Sequence, residues 1–66
     1  MSVAVNGQTR RLPGASTVLQ LLTEFNIAGK RIAVERNGNI VPKSLHASTA
    51  LADGDRLEIV VAVGGG

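Results

Sequence analysis

Cysteine is missing from this chain. Disulfides, thiolate metal sites and cysteine-ligated iron–sulfur clusters are excluded with it. Small secreted domains usually rely on such staples, so the composition favours a cytosolic protein. The start, Met1-Ser2-Val3-Ala4-Val5-Asn6, has neither the basic opening nor the apolar run of a signal peptide. No stretch is long enough to cross a bilayer as a helix. Tryptophan and tyrosine are also absent, and Phe25 is the one aromatic side chain. A stacking platform for unpaired bases therefore has nothing to be built from. The single histidine, His46, has no second histidine or acidic neighbour at ligand spacing. It reads as a solvated residue of a connector rather than as a base or a ligand.

Charge is sparse as well. Seven basic and five acidic residues leave a net charge of +2 in 66 residues, with a sequence pI of about 10.0. Arg10, Arg11, Lys30, Arg31, Arg36, Lys43 and Arg56 are scattered, and Glu24, Glu35, Asp53, Asp55 and Glu58 lie among them. That pattern does not make a nucleic-acid stripe. At this length the chain is one domain, and it buries only roughly 60% of its unfolded surface. A deep catalytic pocket is not expected.

What is present is a regular alternation of short apolar patterns. Val3 and Val5 alternate with Ser2 and Ala4 in a strand. Asn6-Gly7 is the dipeptide suited to a two-residue hairpin turn, and Gln8 to Leu12 returns as a second strand closed by Pro13-Gly14. Thr17, with Gln20 three residues on, forms a capping box for a helix over Thr17 to Phe25. Its apolar stripe is Val18, Leu21, Leu22 and Phe25. Asn26 suits the left-handed position that ends it. Arg31 to Arg36, the turn Asn37-Gly38, and Asn39 to Val41 make a second hairpin, closed by Pro42. Ser44 to Ala50 is a connector holding at most a short helical turn, with Leu45 and Leu51 expected to plug the core. Ala52-Asp53-Gly54-Asp55 is a turn. Arg56 to Val63 is the last strand, with Leu57, Ile59, Val61 and Val63 on one face and Glu58, Val60 and Ala62 on the other.

One helix cannot cover both faces of a sheet, so the fold class is α+β with the helix on one side. Val3, Val5, Ile32, Val34, Leu57, Ile59 and Val61 are expected to face it. Ala4, Ala33, Val60 and Ala62 then point outward as a small apolar patch, a candidate docking surface.

No residue set forms a catalytic constellation. Asp53 and Asp55 lack the remaining ligands of a calcium loop and fit a turn. Capping accounts for Thr17, and no glycine run precedes a helix as a phosphate loop would. Gly64-Gly65-Gly66 remains. Three glycines can be a frayed end or an expression scar. They can also reach roughly 10 Å, at 3.3–3.6 Å per residue, into a narrow channel of another protein. The group at the tip is the α-carboxylate of Gly66, whose ordinary pKa is roughly 3.5. Such a carboxylate accepts sulfur only after activation, for which adenylation by ATP would serve. A partner would have to supply that catalysis. The organisation expected is a domain over residues 1–63 and a tail over 64–66.

Several segments together resemble the ThiS family of sulfur carriers. They are Val5-Asn6-Gly7, Thr17-Val18-Leu19-Gln20-Leu21-Leu22, Ile32-Ala33-Val34-Glu35-Arg36-Asn37-Gly38, Ile40-Val41-Pro42, Asp53-Gly54-Asp55-Arg56-Leu57-Glu58-Ile59-Val60 and Val63-Gly64-Gly65-Gly66. The resemblance spans the whole chain. It implies a ubiquitin-like β-grasp roll with a mixed sheet of four to five strands, the last strand lying beside the first. It implies adenylation of Gly66 by an E1-like enzyme of the ThiF type and conversion to a thiocarboxylate, with sulfur from a donor such as a cysteine desulfurase. Thiazole synthase of the ThiG type would then take the sulfur. No bound cofactor is implied; the activating partner consumes ATP. The family's glycine pair falls on Gly65 and Gly66, with Gly64 a third tail residue. The small subunit of molybdopterin synthase and a protein-conjugating ubiquitin-like modifier share the fold and the glycine end. An RNA-binding or other interaction module is the alternative from another class.

Overall fold

In the computed structural model, residues 1–61 are described. Strands β1 (Ser2–Val5), β2 (Gln8–Arg11), β3 (Ile32–Arg36), β4 (Asn39–Ile40) and β5 (Arg56–Val61) form one sheet in the order β2-β1-β5-β3-β4. β1 and β5 run parallel, and every other neighbouring pair is antiparallel. Helix α1 (Val18–Glu24) packs on one face. The mixed five-stranded sheet, with the last strand beside the first, is the expected β-grasp roll. The expected continuation of β5 through Ala62 and Val63, and the tail 64–66, lie outside the described residues.

Local chemistry explains the elements. Both hairpins turn on Asn-Gly: Asn6 and Gly7 have φ of 51° and 84°, and Asn37 and Gly38 have 51° and 86°. Positive φ at both central positions gives a turn whose twist matches that of the strands. At the helix start, Gln20 N–H donates to Thr17 Oγ1 at 3.2 Å and Thr17 N–H donates to Gln20 Oε1 at 2.8 Å. Val18 and Leu19 N–H donate to the carbonyls of Thr49 and His46. The connector thus serves as the helix's second cap. At the other end Asn26 has φ of 61°, the left-handed conformation expected there.

The core is the inner sheet face against α1: Val3, Val5, Val34, Leu57 and Ile59 meet Val18, Leu21 and Leu22. Leu12, Val41 and Leu51 close its ends, with Ile32, Phe25, Ile27 and Met1 packed around it. Arg10 lies 5.1 Å from the Phe25 ring centre and covers that ring with its guanidinium.

Two expectations for the connector are corrected. Leu45, expected to plug the core, is 48% exposed, while His46, expected to be solvated, is buried. Residues Lys43–Leu45 form one tight 3₁₀ turn. None of these three residues is buried; the inward side chain is that of His46, which follows the turn and whose N–H donates to the Lys43 carbonyl. Its Nε2 lies 3.0 Å from the Val41 carbonyl oxygen, so the ring enters the interior with a partner.

Candidate functional site

The open face of the sheet belongs to the alternate residues of each strand. On β5 these are Arg56, Glu58 and Val60, and on β3 they are Ala33 and Glu35. The register pairs Ala33 with Val60, and Glu35 with both Glu58 and Ile40. Val60 is 63% exposed and Ile40 65%, so apolar surface is presented on this face without cover. Ile40 was not singled out from the sequence. Its outward direction follows from the burial of its neighbour Val41, a signal only a placed strand reveals.

The four residues of the sequence-derived patch do not all meet. Ala33 and Val60 are cross-strand partners. Ala4 is half-buried opposite Thr9 and Arg56, at the start of β5. Glu58 lies between Arg56 and Val60 along the same face, which separates Ala4 from the Ala33–Val60 pair. Ala62 and Gly64, Gly65 and Gly66 lie outside the described residues.

Strand β5 is held from both sides by the turn asparagines. Asn6 Nδ2 donates to the Ile59 carbonyl at 3.0 Å, and Ile59 N–H donates to Asn6 Oδ1 at 2.8 Å. The side-chain amide therefore extends the β1–β5 ladder beyond Val5. On the other side Arg56 N–H donates to Asn37 Oδ1 at 2.9 Å, and Asn37 N–H donates to the Arg56 carbonyl.

At the start of β5 the sequence reading missed a buried cluster. Asp55 is 5% exposed and accepts from Arg36 Nε at 2.7 Å, Asn37 Nδ2 at 3.1 Å and Ala52 N–H at 2.8 Å. Burial pushes the Asp55 carboxyl up, but the bonds from Ala52, Arg36 and Asn37 together outweigh it and hold it below its ordinary value. Asp53 stays exposed, and its Oδ1 accepts from Ser2 N–H at 2.7 Å. The Asp-Gly-Asp run is thus a turn stitched to β1 and β3.

Among the described residues no group of three His, Cys, Asp or Glu is placed to hold a metal ion. Among them, too, no helix is long and apolar enough to cross a membrane. His46 is committed to the Val41 carbonyl in the interior.

Comparison with known proteins follows the same lines. The family described as the ThiS family matches residues 3–66. The chain is 47% identical over all 66 residues to a thiazole synthase of Paramagnetospirillum magneticum, and it spans 20% of that protein's length. It is 40% identical to the sulfur carrier protein ThiS of Bacillus subtilis over 50 residues, 76% of each chain. The crystal structure of a thiamine biosynthesis protein (ThiS) from Geobacter metallireducens superposes with a TM-score of 0.82 at 30% identity, covering 100% of both chains. The chain belongs to the ThiS family.

Proposed function

We propose that the carboxylate of Gly66 is the sulfur-bearing group. An E1-like enzyme of the ThiF type joins this carboxylate to the α-phosphorus of ATP and releases pyrophosphate. A sulfur nucleophile, supplied through a donor such as a cysteine desulfurase, then attacks the acyl carbon and expels AMP, leaving a thiocarboxylate. Thiazole synthase receives that sulfur. This chain is a small carrier, a protein co-substrate on which partners act. It holds no cofactor of its own, and the ATP is bound and spent by the activating enzyme. The reading puts these steps in the cytosol, where ATP is supplied.

One observation carries the reading: the family match runs through residue 66 and so takes in the three glycines. The similarity to thiazole synthases supports the last step, since two proteins of that name, from Paramagnetospirillum magneticum and Magnetococcus marinus, contain a region like this whole chain. In the same reading Ala33 and Val60 dock the partners, and Ala4 and Ala62 belong to that surface only if the contact extends along both ends of β5.

The test is the intact mass of the chain after incubation with ATP, a sulfur donor and a ThiF-type enzyme. One oxygen replaced by sulfur is expected, and the same treatment of a chain lacking Gly66 should leave its mass unchanged. An unmodified chain, beside an activating enzyme that works on a known carrier, would refute the proposal.

A further inference from the structure

We propose that the cleft beside the end of β5 receives an apolar, acid-rimmed patch of the activating enzyme; this rests on the carrier reading above and adds what the partner must look like. The cleft is a shallow, open depression of about 350 Å³, lined by Lys30, Arg31, Ile32, Ala33, Lys43 and Val60. Its cations come from two segments: Lys30 and Arg31 from the loop before β3, and Lys43 from the 3₁₀ turn. Lys30 and Lys43 are the only lysines of the chain, and folding sets both of them here. Among the described residues, the lining contains no acidic one. The one ion pair among the described residues, Arg36 with Asp55, lies at the opposite end of β3 and β5. The floor is apolar, with Ala33 and Val60 paired and exposed.

The chemistry of the occupant follows. A cationic rim around an apolar floor is complemented by carboxylates around an apolar side chain. A nucleotide would need a glycine-rich cradle or an aromatic face for its base, and these six residues supply neither. The neighbouring row adds a constraint on register. Glu35 and Glu58 face each other directly, next to the Ala33–Val60 pair. A partner's carboxylates are attracted to the cleft and repelled one row away. The bands therefore fix where along β5 the partner sits, and residues 62–66 follow directly from that point. Charges of this kind act mainly on encounter and orientation, and salt weakens them.

The experiment is steady-state ATP-dependent loading by a ThiF-type enzyme, with the carrier as the varied substrate. The variants are Lys30→Gln/Arg31→Gln/Lys43→Gln and the corresponding triple change to Glu. All three positions are exposed, so thermal melts should match the parent. KM for the charge-reversed carrier should rise about tenfold or more, with kcat unchanged. The parent's kcat/KM should fall between roughly 0.05 and 0.5 M salt, and that of the neutral variant should change far less. Should the triple variants melt poorly, Lys43→Gln and the parent's salt dependence carry the same information. A parent that is loaded while the variants keep its KM would overturn the cleft and leave the carrier reading intact. A parent that is never loaded would overturn both. Amide shifts at Lys30, Arg31 and Lys43 on adding ATP or single-stranded RNA to the carrier alone would also overturn it, by making the cleft a nucleotide site.

Discussion

Removing the Asp55 carboxylate should cost this domain a large part of its stability. Asp55→Ala leaves Ala52 N–H, Arg36 Nε and Asn37 Nδ2 without their acceptor. Breaking a fully buried ion pair costs about 3–5 kcal/mol. The Arg36 side chain is 32% exposed and can be rehydrated, so the loss here should be about 2–3 kcal/mol. A chain of 66 residues unfolds with an entropy of about 140 cal/mol/K, from about 2.1 cal/mol/K per residue. The midpoint should therefore fall by roughly 15–20 °C. The assay is far-UV circular dichroism, because the chain has no tryptophan or tyrosine to report by fluorescence. The sign of the pH dependence follows from the depressed carboxyl. Its stabilisation is complete above the unfolded value near 3.8 and is lost as pH falls through the lower folded value. The parent's advantage over Asp55→Asn should thus be constant above about pH 5 and shrink progressively below pH 4. An Asp55→Ala midpoint within about 3 °C of the parent at pH 7 would refute the account.

Three further outcomes are expected. Leu21→Ala removes a side chain that is 1% exposed and should cost about 2–5 kcal/mol, measured by urea titration; a loss below about 1 kcal/mol would mean that the helix seam is not the core. Thr17→Ala removes the acceptor for Gln20 N–H and should lower the midpoint by about 4–8 °C, and an unchanged midpoint would show the connector's carbonyls to be a sufficient cap. Val60→Asp, at a position 63% exposed, should weaken loading by the activating enzyme with a change in stability under about 1 kcal/mol, and unimpaired loading would remove Val60 from the docking surface.

The parts of the fold legible in the sequence were those whose chemistry is local. Asn6-Gly7 and Asn37-Gly38 name their turns because few residue pairs tolerate two successive positive φ angles. Thr17 and Gln20 satisfy each other within one turn of helix. The second task of each asparagine was not legible, since Asn6 meets Ile59 across 53 positions and Asn37 meets Arg56 across 19. His46 and Leu45 misled for a related reason. Polarity suggested that the first was solvated and hydrophobicity that the second was buried, but the Val41 carbonyl gives the His46 ring a partner inside, and Leu45 ends a turn that buries none of its residues. Alternation alone gave the outward direction of Val60. Where Ala4 falls relative to it depends on the parallel register of β1 on β5, which no local pattern encodes.

That register matters to the chemistry because of where it puts β5. The strand that leads into residues 62–66 is central, paired with β1 on one side and β3 on the other. Its first residues are fixed by Asn37 and Asp55, and Ile59 by Asn6. On the proposed reading, an enzyme that drew the tail into its active site would pull along β5. The load would then fall on two ladders, whereas an edge strand such as β4 is held by one. The proposed docking on Ala33 and Val60 would add no separate joint, since both residues belong to these ladders. On the carrier reading proposed above, the turn residues and the buried aspartate would therefore help to hold the strand from which the tail is presented.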